Sequence, residues 1–233
     1  MNNTKRHTFC AAAILILVAV TQAACATSVT GRAIRAPGPG VSTSQPTRTS
    51  TPARAPITAR DLLLRDGDRT PVGPATAAPV GDNYFTSARP LECSAAMLFK
   101  GSPLRPPGSS DYADSAYSFG GSAMYAESVD IYDKPLDAHA VVWNGFSAVS
   151  KCSGEAVGVA PIGESQPLRL SFFAVPADDV LVWTMTNPDW TCDYGLTVVA
   201  RAALVLSLCD TKPGFPIADW ASTRRSQIQT RVA

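Results

Sequence analysis

Four cysteines, Cys93, Cys152, Cys192 and Cys209, are spread through the body of the chain, and they limit its fold and its compartment together. Two more lie upstream: Cys10 inside an apolar N-terminal run and Cys25 where that run ends. An even set of cysteines behind an export-type leader implies two disulfides and a place of action outside the reducing cytoplasm. Zinc is the other common use of four cysteines, but it calls for close pairs such as C-x-x-C, and the chain has none. No metal or cofactor is expected.

The last two cysteines can be paired by arithmetic. Leu196–Val199 and Ala203–Leu208 are β-rich runs, and if Ala200-Arg201 is a two-residue turn, opposing residues have numbers that sum to 401. Cys192 and Cys209 meet that condition, in a non-hydrogen-bonded pair where Cα atoms approach to about 4.5 Å. Such a separation suits a bridge between neighbouring strands. Neither Ala nor Arg favours the positive φ of a type I′ turn, which makes the turn the weak point of the hairpin. Cys93 and Cys152 are left to each other, closing a long loop worth about 4 kcal/mol in the chain-entropy model.

Lys5, Arg6 and His7 precede an uncharged apolar stretch from Phe9 to Val20, the size of a signal-peptide h-region and short for a bilayer span. Residues 1–24 are therefore expected to be a signal peptide. Ala23-Ala24-Cys25 has the small residues of a lipobox, with Gln22 where Leu or Val is usual. In that reading Cys25 is the lipidation site, carrying diacylglycerol and fatty acyl groups such as palmitate, and the protein is anchored to the outer face of the cell membrane. Ala24-Cys25-Ala26 also offers an ordinary signal-peptidase site and a secreted product. Lipidation is the expectation adopted, because it explains a cysteine at that position. No later segment is long and apolar enough for a transmembrane helix.

Loss of Lys5 and Arg6 with the leader leaves 18 Lys+Arg against 19 Asp+Glu, a net charge of about −1. A near-neutral chain argues against nucleic acid as partner and against a polybasic lipid-binding surface.

Residues 25–57 are rich in Pro, Gly, Ser, Thr, Ala and Arg and almost free of large apolar side chains. Such a composition cannot offset ordering entropy and predicts a mobile tether with polyproline-like character. Residues 58–233 suit one domain. Asp61-Leu62-Leu63-Leu64 suggests a short opening helix, followed by loops at Pro71–Gly81 and Ser102–Ser110. Tyr125–Tyr132 reads as a strand with Val129 and Ile131 on one face. Asp133 and Pro135 signal the start of a helix to about Lys151, whose Ala138, Val141, Val142, Gly145, Phe146 and Val149 form an apolar stripe. Leu168–Val175 and Val180–Thr186 are β-rich runs about a turn at Pro176–Asp179, and a last helix from Ile217 aligns Ile217, Trp220, Ala221 and Ile228. These elements predict an α+β fold, an antiparallel β-sheet packed against helices and held by two disulfides.

With those elements placed, the chain resembles the family of extracellular sensor domains typified by the mycobacterial receptor kinase PknH, which also occurs in actinobacterial lipoproteins without a kinase. The matching residues are Asp61-Leu62-Leu63-Leu64, Cys93 followed by small residues, Ser150-Lys151-Cys152, Trp190-Thr191-Cys192 and Leu206-Ser207-Leu208-Cys209. The resemblance covers about residues 58–233. It implies an antiparallel sheet and helices around a cleft, first–second and third–fourth disulfides, and a ligand-sensing role; it supplies no catalytic residues. Val149 stands where members often carry Trp, and Ala200-Arg201 where an Asn-rich turn is common.

The catalytic inventory is thin. His139 is the one histidine beyond the leader, with Asp137 and Asp133 as its possible partners on the helix surface. No G-x-S-x-G, H-E-x-x-H or Walker loop occurs. Asp178-Asp179 reads as a polar turn rather than a carboxylate pair. Among the aromatics, Tyr112, Tyr117, Phe119, Tyr125, Tyr132, Trp143, Trp183 and Trp190 are expected mostly in the core, the remainder lining an apolar cleft between sheet and helix. The expectation is a non-enzymatic envelope lipoprotein whose domain senses a ligand, with the membrane and a small apolar ligand or an envelope protein as partners. The alternative is a structural protein that recruits a protein partner.

Overall fold

The computed structural model describes residues 56–119 and 121–232, so the expected leader, Cys10, Cys25 and nearly all of the expected tether lie outside the described residues. In chain order the first elements are α1 (Ala59–Leu62), β1 (Arg69–Thr70), β2 (Gly73–Pro74), β3 (Thr76–Ala78) and β4 (Ser87–Arg89). There follow α2 (Ser94–Met97), β5 (Asp111–Ser118), β6 (Met124–Ile131), α3 (Ala138–Val149), β7 (Glu155–Ala160) and β8 (Gly163–Glu164). The last are β9 (Leu168–Ala177), β10 (Val180–Thr186), β11 (Thr191–Val199), β12 (Ala202–Asp210) and α4 (Ile217–Val232).

Among the described residues, ten strands form one antiparallel sheet in the order β3-β5-β6-β12-β11-β10-β9-β7-β4, with β8 on β7; β1 and β2 form a separate hairpin. The fold is α+β, as expected. Strands β11 and β12 lie in the middle, and each is buried along nearly its whole length. Burial on both faces explains why they read as almost continuous apolar runs rather than alternating ones. On one face Val142 and Val149 of α3 and Met97 of α2 pack with Trp183, Tyr194 and Leu196. On the other, Leu62 of α1 and Trp220, Ala221 and Ile228 of α4 pack with Leu204, Leu206 and Leu208.

The central hairpin has the register the numbers required. Val199 faces Ala202 and Cys192 faces Cys209. The Cys192 and Cys209 Cα atoms are 4.0 Å apart, and their sulfurs are bonded. Cys93 is bonded to Cys152 with Cα atoms 4.5 Å apart, which ties the segment entering α2 to the end of α3. The turn is made with Ala200 at φ 48°, a left-handed conformation that costs an L-residue with a Cβ roughly 1–2 kcal/mol.

Three local readings are corrected. Helix α3 starts at Ala138 rather than after Asp133, because Asp137 is its cap and accepts the Ala140 N–H at 3.0 Å. The residues before it stay extended because Tyr132 N–H and Leu136 N–H donate to the Arg201 and Ala200 carbonyls. Pro176 and Ala177 belong to β9, leaving Asp178-Asp179 as the turn. The register shift between Val180 and Val182 sets Val175 and Pro176 opposite Leu181 alone, a bulge that tolerates a residue without an N–H. The stretch expected as a loop at Pro71–Gly81 contains β2 and β3, and β3 adds to the sheet edge beside β5. Strands of two or three residues carry no periodicity to read.

Candidate functional site

Strands β6, β11 and β12 all run between two distinct ends of the sheet. At one end the Ala200-Arg201 turn, Ile131, Val232 and the first described residues, Pro56 and Ile57, surround a small recess of about 150 Å³. At the other end lie the Cys192–Cys209 bridge, Met124 and Asp210. A nine-residue strand separates the ends by roughly 27 Å.

The far end carries a cleft of about 510 Å³. Its apolar wall is Phe85, Met124, Ala160, Ile162, Leu168 and Trp190, and its polar residues include Gln166, Asn187, Asp189 and Thr211. Several of them are fixed by local contacts. Trp190 and Thr211 stand two residues before and after the bridged Cys192 and Cys209, so the disulfide sets their spacing. Asn187 shapes the β10–β11 turn, accepting the Asp189 N–H at 2.9 Å on its Oδ1 while its own N–H donates to the Trp190 carbonyl. Asn83 donates to Met124 Sδ at 2.7 Å, fastening the loop before β4 to the start of β6. Phe85 lies against Gly158, where a Cβ would come within 2.5 Å of its ring; only glycine leaves the ring that place.

The polar lining has a consistent character. No Lys, Arg or His lines the cleft among the described residues. Glu164 is neutralised by Arg89. The side chains of Gln166 and Asp189 make no hydrogen bond among the described residues and remain available.

No helix contributes to the lining of this cleft, which comes from loops and strand ends; a recess of about 380 Å³ does lie between sheet and helix, lined by Phe172, Thr184 and Asp193 of β9–β11 and by Ile217 and Ala218 of α4. Of the aromatics, Trp190 reaches the cleft. Tyr117, Tyr125, Tyr132 and Trp183 are buried, with the Trp183 ring stacked on Tyr194 at 5.3 Å. Phe119 packs against the α1 and α4 core. Tyr112 lies under the Arg105 guanidinium at 4.2 Å, and Arg105 in turn clasps Asp130 through two bonds of 2.6 Å. Trp143 stays 44% exposed and forms a surface ladder with Phe146 and Phe173 at centroid spacings of 5.4 and 4.9 Å.

Chemistry expected elsewhere is also placed. His139 lies on the surface, 3.9 Å from Asp178 and beside the Trp143 ring; its carboxylate neighbour comes from the β9–β10 turn rather than from Asp133 or Asp137. Asp179 accepts the Arg225 Nε–H at 2.7 Å. Among the described residues no three His, Cys, Asp or Glu side chains cluster as metal ligands.

One polar assembly went unnoticed in the sequence. Glu127 on β6 and Arg224 on α4, both fully buried, are joined by bonds of 2.6 and 2.8 Å. Glu127 also accepts from Tyr125 Oη at 2.6 Å and from the Leu64 N–H at 3.3 Å, and Arg224 donates to the Leu62 carbonyl at 2.8 Å. Burial alone would lower the Arg224 pKa; the Glu127 carboxylate outweighs it and holds the guanidinium above its ordinary value. Burial, with Glu127 next in weight, pushes the Tyr125 phenol well above its usual range. A signal existed. Glu127 is in phase with Val129 on the strand, and Arg224 with Trp220, Ala221 and Ile228 on the helix. A charge inside an apolar stripe implies a partner charge.

With this geometry established, the relatives can be placed. No family model matches the chain. Proteins named "Putative lipoprotein LprH" in Mycobacterium bovis and in two strains of Mycobacterium tuberculosis are each 58% identical over 221 residues, covering 95% of this chain and 94% of theirs. The chain belongs to the LprH family. The crystal structure of the extracellular domain of PknH from Mycobacterium tuberculosis superimposes on this LprH-family chain with a TM-score of 0.55 at 13% identity, covering 76% of this chain and 97% of that one. The LprH-family domain thus shares the PknH extracellular fold. No helix of the described residues is long and apolar enough to cross a membrane.

Proposed function

We propose that the mature protein is an exported, membrane-anchored and non-enzymatic module that binds a small ligand in the cleft at the far end of its sheet. Cys25 would carry the lipid, residues 25–57 would form the tether, and the domain would stand on the extracytoplasmic face. The observation that carries the ligand reading is a cleft of about 510 Å³ with apolar walls, in which Gln166 and Asp189 keep free hydrogen-bonding groups. An apolar recess with a few unspent polar groups is the usual form of a small-molecule site. The relatives' name and the shared fold of a kinase's extracellular domain support export and sensing.

The test is native mass spectrometry of the full-length protein purified from its host in mild detergent. Wild type should retain an adduct of discrete mass that Trp190→Ala loses, and bare protein in both would remove the ligand reading. Labelling with an alkyne fatty acid should mark wild type and spare Cys25→Ala; equal labelling would remove the anchor. A second reading, recruitment of an envelope protein, is favoured by the exposed Trp143–Phe146–Phe173 ladder. In-cell crosslinking through Trp143→Cys would capture a discrete partner if it holds.

A further inference from the structure

Resting on the cleft as the binding site, we propose that its ligand is a neutral glycoside: a sugar headgroup joined to an apolar chain. The first argument is charge. Anionic ligands such as fatty acids and phospholipid headgroups require a cation or a row of N–H donors, and the described cleft lining contains no Lys, Arg or His. Arg89, beside it, is engaged by Glu164. The one unpaired charge at the cleft is the Asp189 carboxylate, which repels an anion.

The second argument is the set of free groups. Gln166 offers an amide oxygen and an amide nitrogen, Asn187 keeps its amide nitrogen, and Asp189 keeps both carboxylate oxygens. Donors and acceptors interleaved on one rim match adjacent hydroxyls, each of which both donates and accepts. Trp190 stands beside Asn187 and Asp189, and an indole face packs against the C–H face of a sugar ring while those side chains take its hydroxyls. An ammonium ligand fits less well: cationic headgroups are held by several aromatic faces, and the polar rim has Trp190 alone.

The third argument is the remaining wall. Phe85, Met124, Ile162 and Leu168 supply apolar surface that a free sugar would leave wet, and Ile162 is 74% exposed. An attached alkyl chain would cover it, at about 25 cal/mol for each Å² removed from water.

The experiment is calorimetric titration of the full-length protein with three probes that share a chain, each below its micellar concentration: dodecyl maltoside, sodium laurate and dodecyltrimethylammonium. Dodecyl maltoside should bind at one site and at least about tenfold more tightly than either ion. Trp190→Ala and Gln166→Ala should each weaken it by roughly five- to tenfold. Asp189→Lys, an exposed change that leaves the turn's backbone bonds in place, should strengthen laurate by about tenfold, since it reverses the one free charge. Laurate or the ammonium probe binding wild type as tightly as the maltoside overturns the glycoside proposal and leaves ligand binding standing. Failure of the maltoside to bind also overturns it, while the retained adduct in native mass spectrometry decides the ligand reading separately.

Discussion

Two regions of this domain gather polar side chains, and they use them in opposite ways. Around Glu127 and Arg224 the carboxylate and guanidinium are consumed internally, by each other, by Tyr125, and by the Leu62 and Leu64 backbone of the first described segment. In the distal cleft, Gln166 and Asp189 are held in place by the chain and bonded to nothing among the described residues. The first arrangement closes a structure: it fastens α1 and α4 to the sheet where the chain enters. The second leaves hydrogen-bonding capacity unspent at a surface, which is how a site differs from a clamp.

Breaking the clamp should have the largest effect. Arg224→Met leaves the Glu127 carboxylate buried without its partner, at a cost of about 3–5 kcal/mol. Urea unfolding of the mutant measures it. The double variant Glu127→Leu/Arg224→Met sharpens the comparison, because two apolar groups in place of a buried pair should recover most of that loss. If Arg224→Met costs under about 1 kcal/mol, the pair is not what holds the two helices down.

The cleft end depends on a covalent staple instead. Removing Cys192–Cys209 by a double Ser substitution releases a loop of 17 residues from the unfolded chain's constraint and should cost about 3 kcal/mol. It should also weaken ligand retention, because Trp190 and Thr211 flank the bridge. The clamp mutant, once folded, should keep ligand binding. Loss of stability without loss of binding in the disulfide variant would show that the strands alone position the cleft.

The same contrast explains what could be read from the sequence. The central hairpin was legible because the turn at Ala200-Arg201 and the pair Cys192/Cys209 constrain one register twice within twenty residues. The α3 and α4 stripes were legible because a helix repeats its face every three or four positions. The Glu127–Arg224 pair was not: its members lie 97 residues apart, and only their phase with apolar neighbours marks them. The cleft was harder still. It draws on Phe85, Met124, Ile162–Leu168, Asn187–Trp190 and Thr211, five separate segments whose meeting is a property of the sheet order. The start of α3 was displaced by hydrogen bonds from Tyr132 and Leu136 to the distant Ala200-Arg201 turn, which no local capping rule contains.

A smaller and opposite change is expected at the other end of the sheet, where the Ala200-Arg201 turn is strained. Ala200 has φ 48°, and glycine adopts that conformation without a Cβ penalty. Ala200→Gly should raise stability by about 0.5–1 kcal/mol, the relief of strain less glycine's greater unfolded-state entropy. The measurement is the urea midpoint at constant slope, and a destabilised variant would mean that the surrounding bonds impose no strain on the turn.

The smallest effect belongs to His139, which tests whether anything outside the two regions carries chemistry. Its ring lies on the surface, 3.9 Å from the exposed Asp178 and beside Trp143, with no buried carboxylate to orient it. Exposed pairs of this kind contribute little, so His139→Ala should alter stability by less than about 0.5 kcal/mol. The domain cysteines are bonded to each other, so no free thiol stands near the imidazole for it to activate. Wild type and His139→Ala should therefore give the same flat response on a panel of esterase, glycosidase and phosphatase substrates. Turnover by wild type that vanishes in the mutant would place a catalytic centre on the α3 surface, far from the cleft, and the division between a closed clamp and an open binding site would no longer describe the molecule.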